Sequence, residues 1–300
     1  MAMKKGDRCK PIAIIPFAEN TRNPEYQEKL FRIGVPVLPP PVYAFKMLKK
    51  LADYINFDYS SVSHEIALPQ RKSDQTCALS EHESKMCLKE FGVAAAEELI
   101  VTSRGEAEIA AEKMPGAFAM KIESAEILHK SDVGGVLLNL KGAKEAGDAF
   151  DLIMENVKKH CPEAGINGIL MVPMLKPGLE MIIGVNNDPQ FGPMIMAGMG
   201  GIFVELFKDV VVYPAPVNKA EAMRMLQSLK AFKLLNGYRG GEKYDIDALC
   251  DTIVSVGNFA AANKDSLKEL DINPLFVYPE DEGVGVADSL IVKYGEKRRC

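Results

Sequence analysis

The stretch KIESAEILHKSDVGGV, residues 121–136, leads from an apolar strand into a polar loop that contains glycine. Lys121 stands at the end of the strand, where an ammonium is costly unless an anion lies beside it. The loop offers hydroxyls, His129 and the pair Gly134-Gly135, whose backbone N–H groups can approach phosphate oxygens closely. These residues leave two interpretations open: a phosphate-binding loop, or the polar loop of an ordinary β-hairpin.

Two glycine-rich stretches follow, GVNNDPQFGP at 184–193 and GMGGIFVE at 198–205. The Asp-Pro pair and the glycines predict tight turns, and turns between strands would explain many of these residues. Glu205 comes directly after an apolar run, so folding alone explains it less well.

A third stretch, ELDINPL at 269–275, places carboxylate and amide oxygens on a predicted strand. Asp271 and Asn273 face the same side of that strand, because side chains alternate with a period of two. Asp288 ends a second predicted strand nearby. Oxygen ligands on adjacent strands suit a Mg²⁺ ion bound to a nucleotide. The alternative is structural: an aspartate that caps a helix and an Asn-Pro pair that forms a turn.

Together these stretches resemble the ADP-forming acetyl-CoA synthetase family, which is related to succinyl-CoA synthetase. The similarity covers residues 79–294 and implies an α/β (α+β) fold, a two-lobed ATP-grasp fold with the nucleotide between the lobes. Five motifs carry it in collinear order: ILHKSDVGGV at 127–136, DPQFGP at 188–193, GGIFVE at 200–205, GYRG at 237–240 and LDINPL at 270–275.

The resemblance implies specific roles at the nucleotide phosphates. Lys121 would bind the α- and β-phosphates of ATP or ADP. His129 would carry a phosphoryl group transiently, which suits imidazole because it is a good nucleophile near neutral pH. Glu205 would lie nearby as a third catalytic residue, while Asn273 and Asp288 would hold Mg²⁺.

The resemblance also implies the remaining nucleotide contacts. The hinge MVPM at 171–174 would contact the adenine, and Pro173 stands where the family usually has Gln or Glu. Because proline has no N–H to donate, this departure bears on base selectivity. The implied cofactor-binding residues are Lys121, Ser131, Gly134, Gly135, Val172, Met174 and Arg239.

Three segments are predicted along the chain. Residues 1–57 show a strand–helix–strand–helix order, with apolar runs at 11–16 and 35–38, and this order implies a parallel sheet. In fused family members an acyl-CoA-handling part precedes the ATP-grasp part, so this segment resembles the C-terminal remnant of a flavodoxin-like CoA-ligase subdomain. Residues 58–77 are polar and predict a linker, and residues 78–300 are expected to form the ATP-grasp domain.

Local signals place helices and strands within the last segment. Ser80 and Glu83 form an S-x-x-E capping box, and Ser103 and Glu106 repeat this pattern, so each pair predicts the start of a helix. A further helix is expected at 144–160, and strands are expected at 99–101, 117–122, 136–140, 168–172 and 180–185.

Composition favours a soluble cytoplasmic protein. The net charge of −5 argues against a nucleic-acid surface. No apolar run is long enough to span a bilayer, and the basic start is not followed by the apolar stretch of a signal sequence. The six cysteines form no CxxC pair, which favours free thiols over a disulfide framework or a zinc site.

The resemblance implies an acid–thiol ligase that interconverts acyl-CoA, ADP and phosphate with acid, CoA and ATP. This chain would supply the nucleotide-handling half, with CoA-binding and ligase domains in cis or on a partner chain, and the full system is expected to be oligomeric. An alternative is an ATP-binding regulatory module of a larger fused protein such as a protein acetyltransferase. A carboxylate–amine ATP-grasp ligase is disfavoured, because the His129 loop has no role there. The acid and the choice between ADP and GDP stay open.

Overall fold

The computed structural model describes residues 12–17, 23–56, 68–70, 73–127, 129–201 and 209–295. The chain divides into two compact units, residues 1–63 and residues 64–300.

Eleven strands lie within the described part of the chain. In chain order they are β1 (Thr76–Ala78), β2 (Leu99–Val101), β3 (Phe118–Glu123), β4 (Val136–Leu140), β5 (Gly168–Pro173), β6 (Leu179–Asp188), β7 (Gly192–Met199), β8 (Val210–Pro214), β9 (Leu267–Val277), β10 (Val284–Val286) and β11 (Ser289–Tyr294).

The described residues also form eight α-helices and a short 3-10 helix at Tyr238–Gly240. The α-helices are α1 (Pro24–Arg32), α2 (Pro41–Ile55), α3 (Glu81–Lys89), α4 (Arg104–Lys113), α5 (Gly142–His160), α6 (Lys219–Ser228), α7 (Phe232–Leu235) and α8 (Ile246–Ala262). None of these helices combines the length and apolarity that crossing a membrane requires.

The described residues of the first unit form α1, α2 and one parallel bridge between Ile14 and Val37. The Ile14 N–H donates to the Pro36 carbonyl at 3.0 Å, and the Leu38 N–H donates to the Ile14 carbonyl at 2.8 Å. The predicted parallel pairing is therefore present. The two predicted strands are shorter than expected, however, because a two-stranded pair has few neighbours to hold its edges.

Large apolar side chains of the first unit remain exposed on α1, on α2 and beside the bridge. A surface with this many exposed apolar side chains is typical of an interaction site. The most exposed among the described residues include Phe17, Phe31, Tyr26, Tyr54 and Ile55.

The second unit contains a seven-stranded antiparallel sheet among its described residues. Its strands follow the order β1-β11-β9-β6-β7-β8, and β10 pairs with β9 beside this path. Apolar residues of this sheet pack against α3, α6, α7 and α8 in one continuous core. We call this body the large lobe.

A four-stranded antiparallel sheet in the order β2-β5-β3-β4 forms the second body of this unit. Alternate residues of β3, Phe118, Met120 and Ile122, pack against α4 and α5 in a separate core. Because side chains alternate along a strand, Ala119 and Lys121 lie on the other face of the sheet. We call this body the small lobe. The expected two-lobed α+β architecture is confirmed.

Local predictions agree closely with the structure at the helix starts. The Ser80 hydroxyl accepts from the Glu83 N–H and the Glu83 carboxylate accepts from the Ser80 N–H, which confirms the predicted capping box. Ser103 also caps its helix, but the Glu106 carboxylate accepts from the N–H and hydroxyl of Thr102 instead of completing a box.

Two local predictions differ from the structure. Residues 76 and 77, predicted as the end of the linker, belong to β1, because their backbone pairs with β11 at the edge of the large sheet. Cys77, Cys161 and Cys250 are free thiols as expected, whereas Cys87 is disulfide-bonded.

Candidate functional site

A cavity of about 480 Å³ lies between the small and large lobes. The small lobe contributes residues of β3, β4, β5 and the loop after β3, while the large lobe contributes residues of β9, β10 and α3. Seven residues predicted as functional line it: Lys121, His129, Ser131, Val172, Met174, Asn273 and Asp288. These positions span 168 residues of sequence, from 121 to 288, and only the fold brings them together.

Alternation along the strands explains why these side chains face the cavity. On β3, Lys121 is turned away from the core because Met120 and Ile122 are buried in it. On β9, Leu270 and Ile272 enter the large core. Asp271 and Asn273 therefore share the opposite side of β9, as the sequence predicts.

Lys121 finds its anionic partner within the protein. Its ammonium donates to Glu81 Oε1 at 2.7 Å and to the Ala287 carbonyl at 3.0 Å. Glu81 lies in the first turn of α3 and its side chain is fully buried. The sequence correctly predicts that this lysine needs an anion, but part of that need is met by a carboxylate.

Glu81 also binds two further lysines. Lys85 donates to Glu81 Oε1 at 2.9 Å, to the Ala287 carbonyl at 3.1 Å and to Glu98 Oε1. Lys130 donates to Glu81 Oε2 and forms a longer ion pair with Asp288 Oδ1 at 3.9 Å. One buried carboxylate thus joins three ammonium groups at the edge of the cavity.

This arrangement predicts a loss of stability in acid. Burial alone would raise the pKa of Glu81, but the ammonium groups of Lys121, Lys85 and Lys130 outweigh it and hold the pKa far below its usual value of 4.5. Because the folded-state pKa lies below the unfolded-state value, the stabilisation is fully present above pH 4.5 and is lost as the pH falls below it. Urea unfolding over a pH series should show this loss in the wild type.

The Glu81→Gln variant is the control for this acid effect. It should be less stable at neutral pH, because it leaves buried ammonium groups without their shared anion. Its free energy of unfolding should change less between about pH 5 and pH 2, since the titrating group is gone. An acid dependence equal to that of the wild type would show that other carboxylates cause the loss.

A second, more polar cavity of about 370 Å³ adjoins the first and shares His129, Lys130, Asn273 and Asp288 with it. Asp271 lines this second cavity. Burial, then the charges of Asp288 and Glu269, raise the pKa of Asp271 to about 6. Burial in the cleft and the Glu81 carboxylate also raise the pKa of Asp288, which keeps 44% of its side chain exposed.

The donor set fits a magnesium ion that is carried by a nucleotide. Asn273 and Asp288 supply an amide oxygen and a carboxylate at one wall of the cavity, and Mg²⁺ commonly binds one or two carboxylates plus substrate phosphates. The described residues contain no group of three or more His, Cys, Asp or Glu residues arranged as a self-sufficient metal site. Burial is the main cause of the raised pKa values of Asp271 and Asp288, and a bound cation would favour the charged form of both carboxyl groups.

The opposite end of the cavity is apolar. Ala119 and Val172 belong to a small buried cluster against which Met174 packs. The Met174 N–H donates to the Ala117 carbonyl at 2.9 Å, and Pro173 has no N–H. These two hinge positions therefore offer a planar base an apolar surface but no free backbone donor.

The Gly134-Gly135 pair, predicted to approach phosphate oxygens, lies in the loop between β3 and β4. Neither glycine lines the cavity, and their N–H groups are used inside the loop, where Gly134 donates to the Ser131 carbonyl at 3.1 Å and Gly135 to the Lys130 carbonyl at 2.8 Å. Gly134 has a φ of +65°. A Cβ on Gly135 would lie 2.8 Å from Ile122 Cγ2. The positive φ of Gly134 and the tight packing of Gly135 against β3 explain these glycines.

Arg239 and Glu205 are the other two predicted residues. Arg239 is exposed on the 3-10 helix, has a φ of +54° and lies 5.3 Å from the centre of the Tyr238 ring. It does not line the cavity. Glu205 lies outside the described residues.

Sequence reasoning missed Glu81, Lys85 and Lys130 as members of the site. Glu81 and Lys85 have the i, i+4 spacing of an ordinary helix-surface ion pair, and Glu81 follows a helix cap, where acidic residues are common. The one available signal was the position of this pair on the face of α3 that also carries apolar residues. Their contact with β3 joins residues about 40 positions apart and is not a local pattern.

The similarity to known protein families covers most of the second unit. The family model of the ATP-grasp domain matches residues 70–292. The β subunit of acetate–CoA ligase [ADP-forming] II from Pyrococcus furiosus is 44% identical over 218 residues, which cover 73% of this chain and 92% of that protein. A trans-feruloyl-CoA synthase of an unknown prokaryote is 34% identical over 288 residues, which cover 96% of this chain and 41% of that protein.

Solved structures also match nearly three-quarters of this chain. A crystal structure of a Pyrococcus horikoshii protein has a TM-score of 0.71 and 42% identity over 73% of this chain and 93% of that one. An acetyl-coenzyme A synthetase of Ca. Korarchaeum cryptofilum, in complex with coenzyme A and Ca-AMPCP, has a TM-score of 0.69 and 40% identity over 72% of this chain and 93% of that one. Another complex of that enzyme contains Mg-AMPPCP, with its phosphohistidine segment pointing towards the nucleotide binding site.

Proposed function

Because this chain belongs to the ATP-grasp family of the ADP-forming acetate–CoA ligase β subunits, we propose that it is the nucleotide-handling part of an ADP-forming acyl-CoA synthetase. Its own reaction would be reversible phosphoryl transfer between ATP and a histidine. The observation that carries this proposal is the cavity itself, which is lined by His129, three lysine side chains and two oxygen ligands beside an apolar wall.

His129 would be the phosphoryl acceptor on this chain. It is exposed at the point where the two cavities meet. A neutral imidazole nitrogen would attack the γ-phosphorus of ATP, forming an N–P bond as the bond to the β,γ-bridging oxygen breaks. ADP would leave with that electron pair, and the proton on the other ring nitrogen would pass to solvent. The reverse sequence would make ATP from ADP.

Lys121 and Lys130 would stabilise the transferring group electrostatically. Both line the cavity, and both have side chains that are only 11% exposed, so their charges act in a medium of low dielectric constant. Fixed cations at transferring phosphoryl groups are a main source of catalysis in this class of reaction. Magnesium held by Asn273 and Asp288 would neutralise phosphate charge when bound.

The apolar end of the cavity would accept the base. Val172 and Met174 would contact its faces, while Pro173 removes one backbone donor that could read the base edge. This arrangement predicts recognition mainly by shape and stacking, and hence weak discrimination between adenine and guanine nucleotides.

The acyl-CoA half of the reaction would require further domains. The chain spans 92% of a separate β subunit but 41% and 31% of two longer relatives, the trans-feruloyl-CoA synthase and a 4-hydroxybutyrate–CoA ligase. In the full system, acyl-CoA, ADP and phosphate would interconvert with acid, CoA and ATP. The exposed apolar side chains of the first unit would contact the CoA-binding and ligase domains, in cis or on a partner chain.

Incubation with Mg²⁺ and γ-labelled ATP tests the proposal directly. We expect label on the protein that is stable in base and labile in acid, as a phosphoramidate is. The His129→Ala variant should lose this label, because the accepting nitrogen is gone. The His160→Ala variant is the matched control: His160 is exposed at the end of α5, its Nδ1 contacts the Asn156 carbonyl, and it should keep full labelling.

Each other outcome has a defined meaning. Equal labelling of wild type and His129→Ala would place the phosphoryl group elsewhere and exclude the proposed role of His129. Mg²⁺-dependent ATP binding without any label would contradict phosphoryl transfer by this chain and support the regulatory ATP-binding module.

A further inference from the structure

We propose that Glu81 is a positioning residue for phosphoryl transfer: from the large lobe, it fixes the ammonium groups of Lys121 and Lys130 at the edge of the cavity. This inference rests on the proposed function and adds to it a residue that itself does not line the main cavity. Four observations support it: where Glu81 is anchored, which atoms it binds, which donors remain, and how the charges balance.

Glu81 is anchored in the large lobe but binds side chains of the small lobe. Its helix, α3, packs through Cys87 and Leu88 into the large core. The Ser84 hydroxyl accepts from the Ile291 N–H at 3.1 Å and ties α3 to β11. Lys121 belongs to β3 of the small lobe and Lys130 to the loop that follows it. The Glu81 carboxylate therefore fixes small-lobe cations relative to the large lobe.

A second contact beside Glu81 strengthens this link between the lobes. The His82 N–H donates to Glu123 Oε1, at the end of β3, with a distance of 3.3 Å. Lys121 in turn reaches back to the Ala287 carbonyl, next to the proposed magnesium ligand Asp288. Glu81 thus lies where the start of α3, the end of β3 and the loop at 287–288 meet.

Counting ammonium donors separates the three lysines by role. An ammonium has three N–H donors, and those of Lys85 are taken by Glu81, Glu98 and the Ala287 carbonyl. Within the described residues, Lys121 has two hydrogen-bond acceptors and Lys130 has one, with Asp288 at 3.9 Å. Lys85 therefore has a structural role, while Lys121 and Lys130 each keep at least one N–H donor for a phosphate oxygen.

Charge balance explains why a carboxylate is needed at this position. Three ammonium groups lie within hydrogen-bond distance of the two Glu81 oxygens, and like charges this close repel strongly in a buried site. Among the described residues, Glu98 pairs only with Lys85 and His82, so it does not offset the charges of Lys121 and Lys130. Without Glu81, Lys121 and Lys130 would move apart, and their remaining donors would no longer converge on one phosphoryl group.

Nucleotide binding to the full-length Glu81→Gln variant tests this role. We would measure dissociation constants of adenosine, ADP and ATP by calorimetry in the presence of Mg²⁺. A positioning role predicts about tenfold weaker binding of ATP, the loss expected from one misplaced charged contact, while adenosine stays within about twofold of the wild type. Glu81→Asp keeps the charge on a shorter side chain. Its dissociation constant for ATP should lie between those of the wild type and of Glu81→Gln, and ATP binding should again weaken more than adenosine binding.

Glu83→Gln is the matched control on the same helix, because Glu83 completes the cap but does not contact the lysines. It should leave all three constants near wild-type values. Equal weakening of adenosine and ATP would overturn the inference, since it would show a general structural defect. Tighter ATP binding would also overturn it, since it would show that Glu81 competes with phosphate.

These outcomes remain distinct from a failure of the proposed function. If the wild type binds ATP but takes up no label, phosphoryl transfer is excluded, and the comparison of adenosine with ATP still decides whether Glu81 positions the lysines for phosphate. If Glu81→Gln does not fold, the graded comparison of wild type with Glu81→Asp decides it: unchanged ATP binding in Glu81→Asp would contradict the inference.

Discussion

Replacing Lys121 by methionine is expected to lower the rate of protein phosphorylation by ATP about 10²- to 10³-fold, the usual effect of removing one fixed donor at a transferring group. Methionine keeps most of the length and apolar volume of the lysine stem, so β3 should retain its packing. Glu81 would keep Lys85 and Lys130 as partners, and the buried carboxylate would not be left unpaired. Single-turnover labelling with γ-labelled ATP measures the rate.

Lys144→Met is the control for this variant, because Lys144 is exposed near the start of α5 and does not line the cavity. Its labelling rate should equal that of the wild type. A Lys121→Met rate within about threefold of the wild type would contradict a role for Lys121 at the phosphates. Thermal unfolding of both variants establishes that the comparison concerns folded protein.

The largest expected effect on stability comes from Phe259→Ala in α8. Phe259 is 1% exposed in the core of the large lobe, and its ring meets Phe91 edge to face, with centres 5.3 Å apart and planes at 88°. Truncation removes the buried ring, leaves a cavity and loses the aromatic pair. The expected cost is about 3–5 kcal/mol in the free energy of unfolding. Urea unfolding with an unchanged slope would measure it.

Phe191→Ala is the matched control for Phe259→Ala. Phe191 is 59% exposed in the turn between β6 and β7, so its loss should cost no more than about 0.5 kcal/mol. Phe259→Leu should cost less than the alanine variant, because it fills part of the cavity. A cost of Phe259→Ala similar to that of Phe191→Ala would mean that the large core is less tightly packed than the structure shows.

Much of the fold follows from local sequence signals. The capping box at Ser80 and Glu83 involves only four consecutive residues, so the start of α3 can be predicted without any tertiary information. The same holds for β2 at 99–101 and β4 at 136–140, whose observed bounds equal the predicted ones. Alternation along β9 likewise predicted that Asp271 and Asn273 would share one side of the strand.

Other features depend on distant parts of the chain. Residues 76–78 are a strand only because β11, more than 200 positions later, offers its edge. The exposed position of Arg239 also follows from tertiary structure, since the motif GYRG does not state which side of the fold its turn faces. A local motif fixes conformation, whereas the neighbours of that motif are fixed by packing.

The sequence by itself determined the ATP-grasp family, the order of most strands and helices, and the seven predicted residues that line the cavity. Only the tertiary structure decided how the charges are balanced there. Glu81 meets Lys121 across about 40 residues, and the Ala287 carbonyl meets Lys121 across about 166. Electrostatic energy depends on distance in space and on burial. The sequence therefore indicates only an acidic residue in the first turn of a helix, whereas the fold places this glutamate among three lysines.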